Sequence, residues 1–115
     1  MSNTTLAFLE KFKGDLEKMT AAAPDVVKGF GGMFLHIMKD GALKRKEKEL
    51  VALGIAVAQC CDPCIAVHVQ KCLDAGNTAA EILEAASVAV VMQGGPAYMQ
   101  IPAVMEALAA LAPKS

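Results

Sequence analysis

Apolar residues return every three or four positions along most of this chain, the spacing of helices that bury one face. Leu6, Leu9, Phe12, Leu16 and Met19 form the first such series, which ends before Pro24, since proline disfavours helical geometry in the residue preceding it. Pro24 opens a second helix carrying Val26, Val27, Phe30, Phe34, Ile37 and Met38, and Gly41 closes it. Gly29, Gly31 and Gly32 lie inside that helix. Each costs roughly 1 kcal/mol in a helix interior, so a close approach of another helix is the expected compensation. They do not form a phosphate-cradling loop, because no strand precedes them and no G-x-x-x-x-G-K follows.

A third helix is predicted from about Lys44 to Gln59, charged in its first turns and apolar on all sides over LVALGIAVAQ, so it belongs at the centre. The fourth starts with Asp62 as N-cap and Pro63 at the first helical position, and ends at Gly76. The fifth carries a capping box, Thr78-Ala79-Ala80-Glu81, ahead of ILEAASVAVVM. The sixth runs from near Pro96 to about Leu111, bent or broken around Pro102. No segment alternates with period two, and there is no repeat or linker. The expectation is one all-α domain over residues 1–115, a bundle of about six helices.

Composition turns this bundle into an assembly. With 115 residues the chain is long enough to bury a core without a disulfide or metal. Hydrophobic residues make up 55% of it and charged residues 20%, which is apolar for so small a domain. From Asn77 to Ser115 the charged side chains are Glu81, Glu84, Glu106 and Lys114. A monomer cannot cover that much apolar surface, so the C-terminal third is read as partly a subunit interface. The net charge of -1, with no basic cluster larger than Lys44-Arg45-Lys46, argues against nucleic acid and against an anionic membrane surface. Charges interrupt the N-terminal apolar residues, and Gly94, Gly95 and Pro96 divide the C-terminal apolar run. Neither a signal peptide nor a transmembrane span is expected. A cytoplasmic location follows, where thiols stay reduced and a C-x-x-C pair points to redox or metal chemistry.

The candidate chemistry lies in Gln59-Cys60-Cys61-Asp62-Pro63-Cys64-Ile65-Ala66-Val67-His68, which holds three of four cysteines and one of two histidines. Cys64 falls in the first turn of the fourth helix, where the N-terminal partial positive charge favours a thiolate. His68 stands one turn further along the same face, in reach for proton exchange. Cys61 and Cys64 are therefore a candidate dithiol with Cys64 as nucleophile. A metal is the rival, through Cys61, Cys64, His68 and Cys72. Ligands at 64, 68 and 72 would span about 12 Å of helix, too long for one tetrahedral ion, so neither metal nor cofactor is expected. Small apolar thiols in a core suit Cys60 and Cys72. The methionines read as core filler. His36 reads as an interfacial or satisfied histidine, and Tyr98 as bordering either a pocket or an interface.

Glu49, eleven intervening residues, Cys61-Asp62-Pro63-Cys64, three residues and His68 together resemble the signature of the alkylhydroperoxidase D-like branch of the carboxymuconolactone decarboxylase family. AGNTAAEILEA and GGPAY downstream are also similar, so the resemblance covers about residues 40–112. It implies an all-helical bundle assembled as a homohexamer or, second, a trimer. It also implies antioxidant chemistry: reduction of a small hydroperoxide or a disulfide, sustained by a thiol or dithiol reductant protein. On that resemblance Cys64 attacks, Cys61 resolves the product to a disulfide, His68 relays the proton and Glu49 orients His68. Peroxidase members of the branch carry a second histidine between the cysteines, where this chain has Pro63, so the relay implied here is shorter. Members that decarboxylate a lactone generally lack the C-x-x-C, which weighs against that activity. A non-catalytic redox-sensing or binding module is the alternative from a different class.

Overall fold

Caps and breakers in the sequence decide where each helix stops. The computed structural model describes residues 4–113, and no strand occurs among them. The helices are α1 (Thr4–Ala22), α2 (Pro24–Met38), α3 (Arg45–Ala58), α4 (Asp62–Asp74), α5 (Ala79–Gln93), the single turn α6 (Gly95–Tyr98) and α7 (Ile101–Leu111). Thr78 and Glu81 form the expected reciprocal cap of α5, with Thr78 N–H donating to Glu81 Oε1 at 2.8 Å and Glu81 N–H to Thr78 Oγ1 at 3.1 Å. The Thr78 backbone bond is the main reason the Glu81 carboxyl sits below its usual range. The sixth predicted helix is two pieces, separated at Met99 and Gln100, with Pro102 seated in the first turn of α7 where its missing N–H costs nothing.

α3 is the hub, packing most extensively on α5 and α4, while α7 closes the bundle over α4 and α5. The core joins Leu53, Ala56 and Val57 of α3 to Ile65, Val69 and Cys72 of α4, Ile82 and Ala86 of α5, and Val104 and Ala107 of α7. α3 is nevertheless not buried on all sides: Val51 and Ile55 are exposed. α2 stands further out, touching α1 and, lightly, α3, and its Val26, Phe30, Met33, Leu35 and Ile37 are exposed. A Cβ added at Gly29, Gly31 or Gly32 would meet nothing within 4 Å. The helix approach expected at these glycines is therefore absent within the protomer. The methionines are not core filler either, since Met38 is buried whereas Met33, Met92, Met99 and Met105 face outward.

The turn from α3 to α4 corrects another expectation and positions the chemistry. Cys60 adopts φ of 55°, with Cys60 N–H donating to Val57 O at 3.0 Å and Cys61 N–H to Ala56 O at 3.2 Å. This is the Schellman pattern. The end of α4 repeats it, with Gly76 at φ of 100° and bonds from Gly76 N–H to Leu73 O and Asn77 N–H to Cys72 O. Cys60 thus stands where α4 uses glycine, and it is exposed, not in the core. The reversal is so short that Cys61, not Asp62, becomes the N-cap of α4, its Sγ accepting from Cys64 N–H at 3.3 Å.

A residue with a Cβ loses roughly 1 kcal/mol in this left-handed conformation. Cys60→Gly is therefore expected to raise unfolding stability by about 1 kcal/mol, and Gly76→Ala to lower it by a similar amount. Urea denaturation under reducing conditions reads both changes; a destabilised Cys60→Gly protein would contradict the account.

Candidate functional site

The α3–α4 hairpin folds the predicted residues toward one another. Cys61 at the cap and Cys64 in the first turn of α4 are joined as a disulfide, with Cα atoms 5.2 Å apart. His68, four residues after Cys64, lies one turn on along the same helix face. Its Nδ1 is 3.4 Å from Oε1 of Glu49 on α3. A carboxylate oxygen only accepts, so in this contact Nδ1 carries the hydrogen. Glu49 has no solvent exposure, and its Oε2 has no hydrogen-bond partner. The nearby cation is Arg45, one turn earlier on α3, with Nε 3.6 Å from that oxygen.

Cys72, a further turn beyond His68, is fully buried, and its Sγ–H donates to the backbone carbonyl of Glu49 at 3.2 Å. Burial first, and the Glu49 charge second, push this thiol up to about 12. It is locked in the protonated, unreactive form. The two predicted core thiols therefore part company, with Cys72 inside and Cys60 outside, its Sγ near Pro96 O. Among the described residues no group of three or more His, Cys, Asp or Glu side chains is arranged to hold a metal ion. His36 and Tyr98 are exposed, on α2 and α6, away from the disulfide in sequence and element.

A cavity of about 200 Å³ borders the Asp62-Pro63 bridge between the two cysteines. α1 and α7 form its other walls through Thr5, Phe8, Ala103 and Glu106, and Thr4 Oγ1–H donating to Glu106 Oε2 at 2.6 Å ties those helices together. Sequence reasoning missed Arg45 and the Cys72–Glu49 bond. The first had a readable signal, since Arg45 precedes Glu49 by one helical turn. The second joins positions 23 apart and needs the hairpin to exist.

The chain matches the carboxymuconolactone decarboxylase family over residues 24–112 and belongs to it. The match begins at Pro24 and so takes in α2, earlier than the motif-bearing region around residues 40–112. Curated relatives include an uncharacterised protein of Cupriavidus necator, 32% identical over 68% of this chain and 69% of its own length. Another, encoded in the cox locus of Paracoccus denitrificans, is 31% identical over 78% of this chain and 81% of its own. A carboxymuconolactone decarboxylase family protein from Legionella pneumophila superposes with a TM-score of 0.91 at 33% identity, covering 97% of this chain and 100% of the other. A Thermotoga maritima member gives 0.71 at 28% identity, covering 91% and 86%; involvement in an antioxidative response has been suggested for that protein. No helix among the described residues is long and apolar enough to cross a membrane.

The thiol environments make a direct prediction. Iodoacetamide added to the native, unreduced protein should label Cys60 and leave Cys72 untouched, and unfolding should release Cys72 to label as well. Peptide mass mapping reads the sites, and rapid native labelling of Cys72 would contradict its burial and high pKa.

Proposed function

We propose that this protein is a thiol-dependent peroxidase or disulfide reductase of the alkylhydroperoxidase D-like branch, acting in the cytoplasm. The observation that carries the reading is the Cys61–Cys64 disulfide at the start of α4 with the His68–Glu49 pair one turn beyond it. In the reduced protein the Cys64 thiolate attacks the outer oxygen of a small hydroperoxide. The O–O bond breaks, Cys64 becomes a sulfenic acid, and the departing alkoxide takes a proton relayed by His68 to leave as the alcohol. Cys61 sulfur then attacks the sulfenic sulfur, water leaves, and the disulfide forms. A thiol or dithiol protein restores both thiols by exchange. The α4 N-terminus favours the Cys64 thiolate by its partial positive charge. Glu49 engages Nδ1 of His68, which leaves Nε2 as the ring atom to exchange the proton, and with Pro63 between the cysteines His68 is the relay's one imidazole.

Peroxide consumption with a dithiol reductant tests this. Wild type should turn over steadily and Cys64→Ser should be inactive. Cys61→Ser should complete one oxidation and accumulate a sulfenic acid that dimedone traps. A single stoichiometric oxidation by wild type, with no turnover, would instead favour a redox-sensing module.

The same reading includes assembly as a homohexamer, with a trimer second. Its support is the apolar exterior of α2, α3 and α5, where Phe30, Leu35, Val51, Val88, Val91 and Met92 are exposed. An almost wholly apolar groove of about 420 Å³ runs between α3 and α5. Burying each such side chain is worth roughly 1.5–3 kcal/mol, so half a dozen per protomer meet an association cost of about 4–15 kcal/mol. Light scattering at micromolar concentration should give several times the protomer mass; a value near 12.0 kDa would overturn it.

A further inference from the structure

We propose that Arg45 is a positioning residue for the His68–Glu49 pair, anchoring Oε2 of Glu49 so that Oε1 stays aligned on Nδ1–H of His68. The inference rests on the thiol chemistry above and adds to it a residue outside the E…C-x-x-C…H pattern.

Its ground is the isolation of the carboxylate. Glu49 is 0% exposed and its Oε2 has no hydrogen bond, yet Arg45 Nε lies 3.6 Å from it, on a side chain that is 48% exposed. A buried carboxylate without a counter-charge is strongly unfavourable. The other charged or titratable groups around α3 are otherwise engaged. Lys46 pairs with Glu81 of α5 at 3.5 Å, Lys48 donates to the carbonyls of Ile37 and Lys39 at the C-terminal end of α2, and Cys72 of α4 donates to the Glu49 backbone. Among the described residues, Arg45 and His68 are thus the two groups paired with the carboxylate itself.

Arg45 is also held in place. Its backbone N–H donates to Asp40 Oδ1 at 2.7 Å, and the adjoining Lys44 N–H to Glu47 Oε1 at 3.0 Å, fixing the first turn of α3 one turn before Glu49. Without the guanidinium, Oε2 has no partner and the carboxylate is free to turn Oε1 away from Nδ1. Nothing then holds the hydrogen of the imidazole on Nδ1, and the ring loses the orientation that suits it to exchange a proton with Cys64.

The test reads the His68 tautomer directly, by nitrogen NMR of the neutral imidazole in reduced protein. A His36→Gln background leaves His68 as the single histidine. The parent should show Nδ1–H and a bare Nε2, and Arg45→Lys should keep that signature. Arg45→Met should lose it, with turnover falling about tenfold, within what a misaligned proton relay costs. Arg45→Gln, which keeps a hydrogen-bonding side chain but no charge, repeats the measurement should the methionine variant fail to fold. An unchanged Nδ1–H signature in an uncharged variant, or its absence from the parent, overturns the proposal. If the parent protein has no peroxidase turnover, that function fails alone, because the tautomer still decides what Arg45 does.

Discussion

The reversal between α3 and α4 governs the site. From Glu49 to Gln59 α3 climbs ten residues, about 15 Å, and from Cys61 to Cys72 α4 returns by about 16 Å. Because the connection is a Schellman turn with no slack, the two lengths match. Glu49 therefore meets His68 through its side chain and Cys72 through its backbone carbonyl. A longer loop would leave α4 free to slide by a turn, and the carboxylate would face a different residue. The same tight turn makes Cys61 the cap of α4, which places both C-x-x-C sulfurs at the positive end of that helix.

The hairpin also gives the four cysteines different chemistry. Cys61 and Cys64 share the helix terminus and are bonded to each other. Cys72 lies at the buried end of α4 beside a negative carboxylate, where its thiolate has no stabilising partner. Cys60 occupies the left-handed turn position with its sulfur outside. Depth along one helix separates a disulfide-bonded pair from an inert thiol.

A fully buried carboxylate is an expensive feature in a domain of this size, and the fold arranges its surroundings accordingly. α5 and α7 cover α3 and α4 with aliphatic residues, and Glu49 has no solvent exposure. Charge reaches it along α3 from Arg45, at the half-open rim. Exposed apolar side chains lie on α2 and along the α3–α5 groove, and also on α1, at Phe12, Leu16 and Met19, and on α7, at Met105.

The sequence by itself determined the helical class, five of the helix positions to within a turn with the break in the sixth, and the residues of the site pattern. Those follow from local rules: three-four periodicity, proline and glycine breakers, and the Thr78–Glu81 box. Spacing also put His68 one turn after Cys64, since both lie on one helix. What tertiary structure alone decided concerns burial and cross-helix partners. Val51 and Ile55 look as central in the sequence as Leu53, but they line the open groove between α3 and α5. The glycines of α2 suggested an approach that no helix of the protomer makes. Cys60 and Cys72 were alike on paper and opposite in the fold, because one falls in a turn and the other under Glu49. Burial depends on which elements arrive from elsewhere in the chain, and periodicity records only that a face is apolar, not what covers it.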